Sequence, residues 1–122
     1  MKNALLVMVH GSPRPQSNGD MFAVVEQVRA MNQFDLVAVG FMELNEPPIP
    51  DAIDELVSQG ATSVVAVPYF LHSGTHVADD LPTLLEEAQA KYPSVEFSMG
   101  DYLGHDPLLM DVLAARVGEA RL

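Results

Sequence analysis

Residues Ala4–Val9 read ALLVMV, an unbroken apolar run closed by His10 and Gly11. A strand points successive side chains to opposite faces, so such a run suits a strand covered on both sides, as in a parallel sheet between helical layers. Leu36–Phe41 (LVAVGF) and Ser63–Val67 (SVVAV) repeat the signature, and Val95–Met99 is a fourth, more amphipathic strand suited to an edge. Between the runs, apolar residues recur at helical spacing. Met21, Val24, Val25, Val28 and Met31 mark a first helix over Ser17–Met31, after a loop Gly11–Asn18 holding two prolines. After a proline-rich turn, Glu46–Pro50, residues Ile53, Leu56 and Val57 mark a short second helix that Gly60 closes. Val77, Leu81, Leu84, Leu85 and Ala88 carry a third, preceded by a loop from Tyr69 to His76, with Pro82 in its first turns. Leu109, Val112, Leu113 and Val117 carry a fourth, opened by Asp106 as cap and Pro107.

The order βαβαβαβα predicts an α/β fold: a three-layer α/β/α, flavodoxin-like domain with a four-stranded parallel sheet in the order 2-1-3-4. The 122 residues fit one domain, 1–122, large enough to bury a core.

In open sheets of this kind the ligand sits beyond the carboxyl ends of the strands, where the strand order reverses. With order 2-1-3-4 that point lies between the first and third strands. His10 ends strand one, Glu43 follows strand two, and His72 and His76 follow strand three. Three loops thereby bring His10, Glu43 and His76 to one rim. Two convergent imidazoles suit metal ligation, acid–base chemistry, or both. A lone histidine after a strand can equally just bond a loop carbonyl, and a carboxylate there can be a solvated loop residue. His72 reads as a supporting or surface residue, and His105, just before Asp106, as structural. Arg14 can hold a substrate carboxylate or face solvent. Tyr69, Phe70 and Leu71 can pack on a flat ring or belong to the core.

Several chemistries are excluded. There is no cysteine, so thiolate metal sites, iron–sulfur clusters and cysteine nucleophiles are out, and any metal is held by nitrogen and oxygen. No GxSxG elbow, Walker A or GxGxxG occurs, so neither a hydrolase elbow nor nucleotide use has support, and no organic cofactor is expected. The net charge of −11 disfavours nucleic acid and anionic membranes as partners. No apolar run approaches the ~20 residues that span a bilayer, and no leader signature opens the chain, so the expected location is the cytoplasm.

The pieces LLVMVHGSPRP, FMELNEPPI, VPYFLHSGTHVADDLP and YLGHDPLL are spread over nearly the whole chain. In that order the chain resembles the sirohydrochlorin chelatases, the CbiX/SirB-type class II chelatases, in their short single-domain form. The combination of a strand followed by HGS with P-x-F-L-x-x-G-x-H-x-x-x-D-x-P is the specific part. The last piece reads GHDP where the family has LG-x-HP, so no role is carried onto His105.

The resemblance implies a chelatase-like fold and a lyase that inserts a divalent metal (Co²⁺, Fe²⁺ or Ni²⁺) into sirohydrochlorin without ATP, as in sirohaem or cobalamin biosynthesis. It implies that His10 and His76 bind the metal and act in catalysis, with Glu43 assisting. Gly11, Ser12, Arg14, Tyr69, Phe70, Leu71, Ser73, Gly74 and Thr75 are the expected substrate contacts. It also implies a homodimer. The competing reading is a metal or tetrapyrrole carrier without turnover. Metal affinity that depends on unprotonated imidazole is expected to fall at low pH. The substrate is polyanionic, so local backbone N–H groups near Gly11–Ser17 and Gly74–Val77, with Arg14, are expected to favour its carboxylates.

Overall fold

The computed structural model describes residues 1–104 and 106–120. Its elements run β1 (Lys2–Val9), α1 (Pro15–Ala30), β2 (Leu36–Phe41), α2 (Ile49–Ser58), β3 (Ala61–Pro68), a π-helical turn (His76–Asp80) leading directly into α3 (Leu81–Lys91), β4 (Glu96–Met99) and α4 (Pro107–Glu119). The four strands form one parallel sheet in the order β2-β1-β3-β4. This is the α/β arrangement that the alternation of runs and stripes predicts. No helix among the described residues is long and apolar enough to cross a membrane.

The period of two in β1 divides the core. Ala4, Leu6 and Met8 face one layer, where Ile49, Ala52, Ile53 and Leu56 of α2 meet Leu81, Leu85 and Ala88 of α3. Leu5, Val7 and Val9 face the other, against Met21 and Val25 of α1 and Val37, Val39 and Phe41 of β2. Each large side chain buried this way contributes about 1.5–3 kcal/mol. Gly40 lets α2 approach β2: a Cβ there would lie 2.9 Å from the Ile49 Cα.

Four features differ from the sequence expectation. The first helix starts at Pro15, because proline suits the first helical position, where its missing N–H costs nothing. The second starts at Ile49 for the same reason, with Pro50 in its first turn. The segment after β3 becomes helical at His76, where a loop was expected. Pro82 cannot donate to the Ala78 carbonyl, and its ring crowds that oxygen, so the chain widens there. The Leu81 N–H reaches back to the His76 carbonyl, and regular α-helix begins only at Leu81.

The fourth difference is α4. Its N-terminus is capped as expected, with the Asp106 side chain accepting from the Leu108 N–H. Its apolar stripe, however, does not cover the sheet. No residue of α4 is buried, and Leu108, Met110, Val112, Leu113 and Val117 are all exposed, Leu108 at 74 % and Val117 at 68 %. Val65 and Val67 of β3 are consequently only half buried.

Candidate active site

The parallel ladder does not stop with the strands. Beyond β1 and β2 the Met42 N–H donates to Val9 O (2.8 Å) and the Glu43 N–H to His10 O (3.1 Å). Beyond β3 the Tyr69 N–H donates to Met8 O (2.8 Å). Backbone pairing therefore fixes His10 and Glu43 side by side at the carboxyl rim, with β3 delivering its loop on the other flank. The imidazoles of His10 and His76 stand 5.1 Å apart between ring centroids, tilted by 49°. The Glu43 carboxylate lies 2.9 Å from His10 Nε2. The three side chains that sequence reasoning brings to one rim are thus together there.

Gly11 makes the approach possible. It holds φ = +105°, and a Cβ at that position would collide with the Glu43 carbonyl oxygen and lie 3.2 Å from Asn45 Oδ1. The chain after β2 folds over this glycine. Leu44 takes φ = +70°, the Asn45 N–H returns to Glu43 O (2.8 Å), and Asn45 Oδ1 accepts from the Ser12 N–H (2.6 Å). Asn45 thereby ties the loop carrying Glu43 to the loop carrying His10, a role with no periodic signal in the sequence.

Hydrogen-bond chemistry sets the protons on the rings. A carbonyl only accepts, so His10 Nδ1, 3.1 Å from Gly11 O, carries hydrogen. His10 Nε2 then faces a carboxylate oxygen, a contact that needs a proton or a cation between the two atoms. On His76, Nδ1 lies 2.7 Å from Asp80 Oδ2. Asp80 was not among the expected site residues. Its signals are its place as the D of the motif H-x-x-x-D-x-P and the four-residue spacing from His76, which pairs side chains only once residue 76 is read as helical. Among the described residues no group of three or more His, Asp or Glu side chains is placed to hold a metal ion; the donors come as the pairs His10–Glu43 and His76–Asp80.

The other expected site residues spread along the same rim. Gly11 and Ser12 are half-buried beneath the Glu43–Asn45 turn. Arg14 is exposed and caps α1, its N–H donating to Ser12 Oγ (3.2 Å). Ser73, Gly74 and Thr75 are exposed on the approach to the π-helical turn, which Gly74 helps close by accepting from the Ala78 N–H (2.9 Å). Tyr69 and Leu71 are exposed, whereas Phe70 packs against the α2–α3 side of the core and its carbonyl receives the Leu103 N–H (3.0 Å). His72 is exposed and lines a groove with Leu71 and α4 residues Leu109, Met110 and Leu113. His105 lies outside the described residues.

Comparison with known proteins places the chain in a family. The CbiX family model matches residues 4–120. A sirohydrochlorin cobaltochelatase of Methanococcus maripaludis is 42 % identical over 82 residues, which is 67 % of this chain and 57 % of that protein. The chain thus spans little more than half the length of that relative. A sirohydrochlorin cobaltochelatase of Saccharolobus solfataricus is 33 % identical over 121 residues, covering 94 % of this chain and 93 % of that one. The crystal structure of the sirohydrochlorin chelatase SirB from Bacillus subtilis subspecies spizizenii, in complex with cobalt, superimposes with a TM-score of 0.93 at 30 % identity, over 98 % of this chain and 51 % of SirB. With a family match along nearly all of its length and the same fold as SirB, the chain belongs to the CbiX family.

Proposed function

We propose that the protein is a sirohydrochlorin chelatase, inserting a divalent metal into the tetrapyrrole without ATP. The observation that carries this reading is the pair of imidazoles 5.1 Å apart at the carboxyl rim, each held against a carboxylate. Insertion must strip water from the ion and take two protons from pyrrole nitrogens. An imidazole lone pair can bind the ion, and an imidazole–carboxylate pair can hold a proton. On this reading His10, His76 and Glu43 bind the metal, with the two histidines catalytic. Gly11, Ser12, Arg14, Tyr69, Phe70, Leu71, Ser73, Gly74 and Thr75 line the substrate's place. The metal is a substrate, Co²⁺, Fe²⁺ or Ni²⁺; nitrogen and oxygen ligands do not separate these ions. The relatives include both cobaltochelatases and ferrochelatases, and SirB is seen with cobalt and with Fe³⁺, so Co²⁺ and Fe²⁺ are the first to try. On this reading the setting is cytoplasmic, where a chain without cysteine forgoes nothing.

Residues 1–122 form one chelatase-like domain on this reading, and the working unit is a homodimer with the two rims facing across a two-fold axis. A flat tetrapyrrole needs walls on both sides to be largely buried, and this rim supplies one. The apolar surface that a second copy would cover is continuous with the rim: Leu71 at its edge, then the exposed face of α4. Two-fold dimers are the commonest oligomers, so the occupant we assign is a second copy.

The test is direct. Protein, sirohydrochlorin and Co²⁺ or Fe²⁺ are mixed and the absorbance spectrum followed. Metallation well above the protein-free rate is expected. A rate equal to that control for Co²⁺, Fe²⁺ and Ni²⁺ would refute the enzyme and leave a carrier.

A further inference from the structure

We propose that Asp80 is a positioning residue that fixes the tautomer of His76. The inference rests on the chelatase reading only for its metal-binding consequence. The Asp80 carboxylate accepts and cannot donate when ionised, so at 2.7 Å it holds hydrogen on His76 Nδ1. Nε2 is then the lone-pair nitrogen, on a ring 5.1 Å from that of His10. A free neutral imidazole prefers the opposite tautomer, with hydrogen on Nε2, which has no lone pair to offer there. Asp80 thus selects the form in which His76 can ligate, and orients the ring that carries it.

The fold builds this contact rather than leaving it to a mobile side chain. His76 and Asp80 are the first and last residues of the π-helical turn. That turn is anchored at both ends, by Ala78 N–H to Gly74 O and by Leu81 N–H to His76 O, and Val77 within it is buried in the core. His76 and Asp80 are both a little under half exposed, so the pair stands open at the rim and losing it should not unfold the domain. The neighbouring Asp79 is engaged differently: its carbonyl accepts from the Thr83 hydroxyl, and its exposed side chain makes a natural control.

The experiment combines ¹⁵N-imidazole NMR of the full chain with Co²⁺ titration, on wild type and on Asp80→Ala, Asp80→Asn and Asp79→Asn. In the neutral wild-type ring, His76 is expected to show a protonated Nδ1 and an unprotonated Nε2. Asp80→Ala should move the proton toward Nε2 and weaken Co²⁺ binding about 10- to 100-fold. Asp80→Asn should fall between the two, since its amide oxygen can still accept from Nδ1. Asp79→Asn should match wild type in both readouts. An unchanged tautomer in Asp80→Ala overturns the proposal, as does a changed tautomer with Co²⁺ affinity within twofold of wild type, or an Asn variant no better than Ala. If wild type itself binds no Co²⁺, the chelatase reading fails and the metal-binding consequence with it, while the NMR pattern alone still decides whether Asp80 sets the tautomer.

Discussion

Replacing Gly11 with alanine tests whether a single backbone crossing assembles the rim. Two costs add. The first is conformational: alanine at φ = +105° costs about 1–3 kcal/mol. The second is steric. The new Cβ would fall on the Glu43 carbonyl oxygen, and that oxygen must retreat by about 1.5 Å to reach an ordinary contact. The retreat is resisted by the Glu43 N–H bond to His10 O and by the Asn45–Ser12 bond, so one of these is stretched at a cost of about 1 kcal/mol. Together the loss is about 2–4 kcal/mol, a fall in Tm of roughly 8–15 °C for a chain of this size. Function should suffer more than stability. A shift of about 1 Å in a catalytic group can cost ~10²-fold in rate, and here the shifted backbone carries Glu43 away from His10. Thermal unfolding and metallation rate would be measured on the same preparation, below the Tm of the variant. A variant with wild-type Tm and wild-type turnover would refute the argument that this crossing sets the His10–Glu43 contact.

His10→Ala and His76→Ala should each lower metallation more than tenfold with the fold intact by circular dichroism, because losing a ligand or base commonly costs ~10²–10⁴ in rate; Glu43→Gln should cost less, His72→Ala should be mild, and full turnover in the His76 variant would remove it from the mechanism. Light scattering at micromolar concentration should give a dimer mass, and Leu113→Glu with Val117→Glu on the exposed face of α4 should give a monomer; a monomeric wild type with full activity would show that one rim suffices. Tyr92 donates to Asp54 (2.5 Å), which also accepts from Lys91 (3.0 Å). The hydrogen bond from Tyr92, then that from Lys91, holds the Asp54 carboxyl below its ordinary value, and the bond to Asp54 raises both Tyr92 and Lys91. A raised phenol and a raised amine stabilise the fold below their ordinary values of about 10, and that contribution is lost as pH rises through the folded-state values. Tyr92→Phe should therefore flatten the alkaline fall in Tm, and an identical alkaline profile would show that this exposed cluster contributes nothing measurable.

The sheet was legible because burial on both faces leaves no room for polar interruption. ALLVMV suits a strand covered on both faces, and β1 lies at the centre, with Leu6 and Met8 buried on one side and Val7 on the other. Of the two edge strands, β4 was legible as one, since Glu96 and Ser98 interrupt its run; β2 also has a single neighbour, yet its run LVAVGF stays apolar because helices pack on both of its faces. Helix starts were less visible. Prolines 15 and 50 read as loop residues by composition, yet each sits in a first helical turn, where proline costs nothing. Helix α4 shows the limit of periodicity. Its stripe of Leu109, Val112, Leu113 and Val117 says that a face wants cover, but the pattern is the same whether the cover lies within the chain or in another molecule.

The site divides along the same line. Topology alone placed His10, Glu43 and His76 at one rim, because residues that follow neighbouring parallel strands must emerge together. What topology does not contain is the orientation of the rings, and that is set by contacts over short sequence distances: Gly11 O for His10, one residue away, and Asp80 for His76, four away. The second was hidden by treating residues 69–76, with Gly74 among them, as loop and starting the helix at Val77, one residue short of the i, i+4 pair. Pro82 forbids a regular α-helix across 78–82, and the chain answers with a wider turn at His76–Asp80 that still leaves His76 and Asp80 in contact.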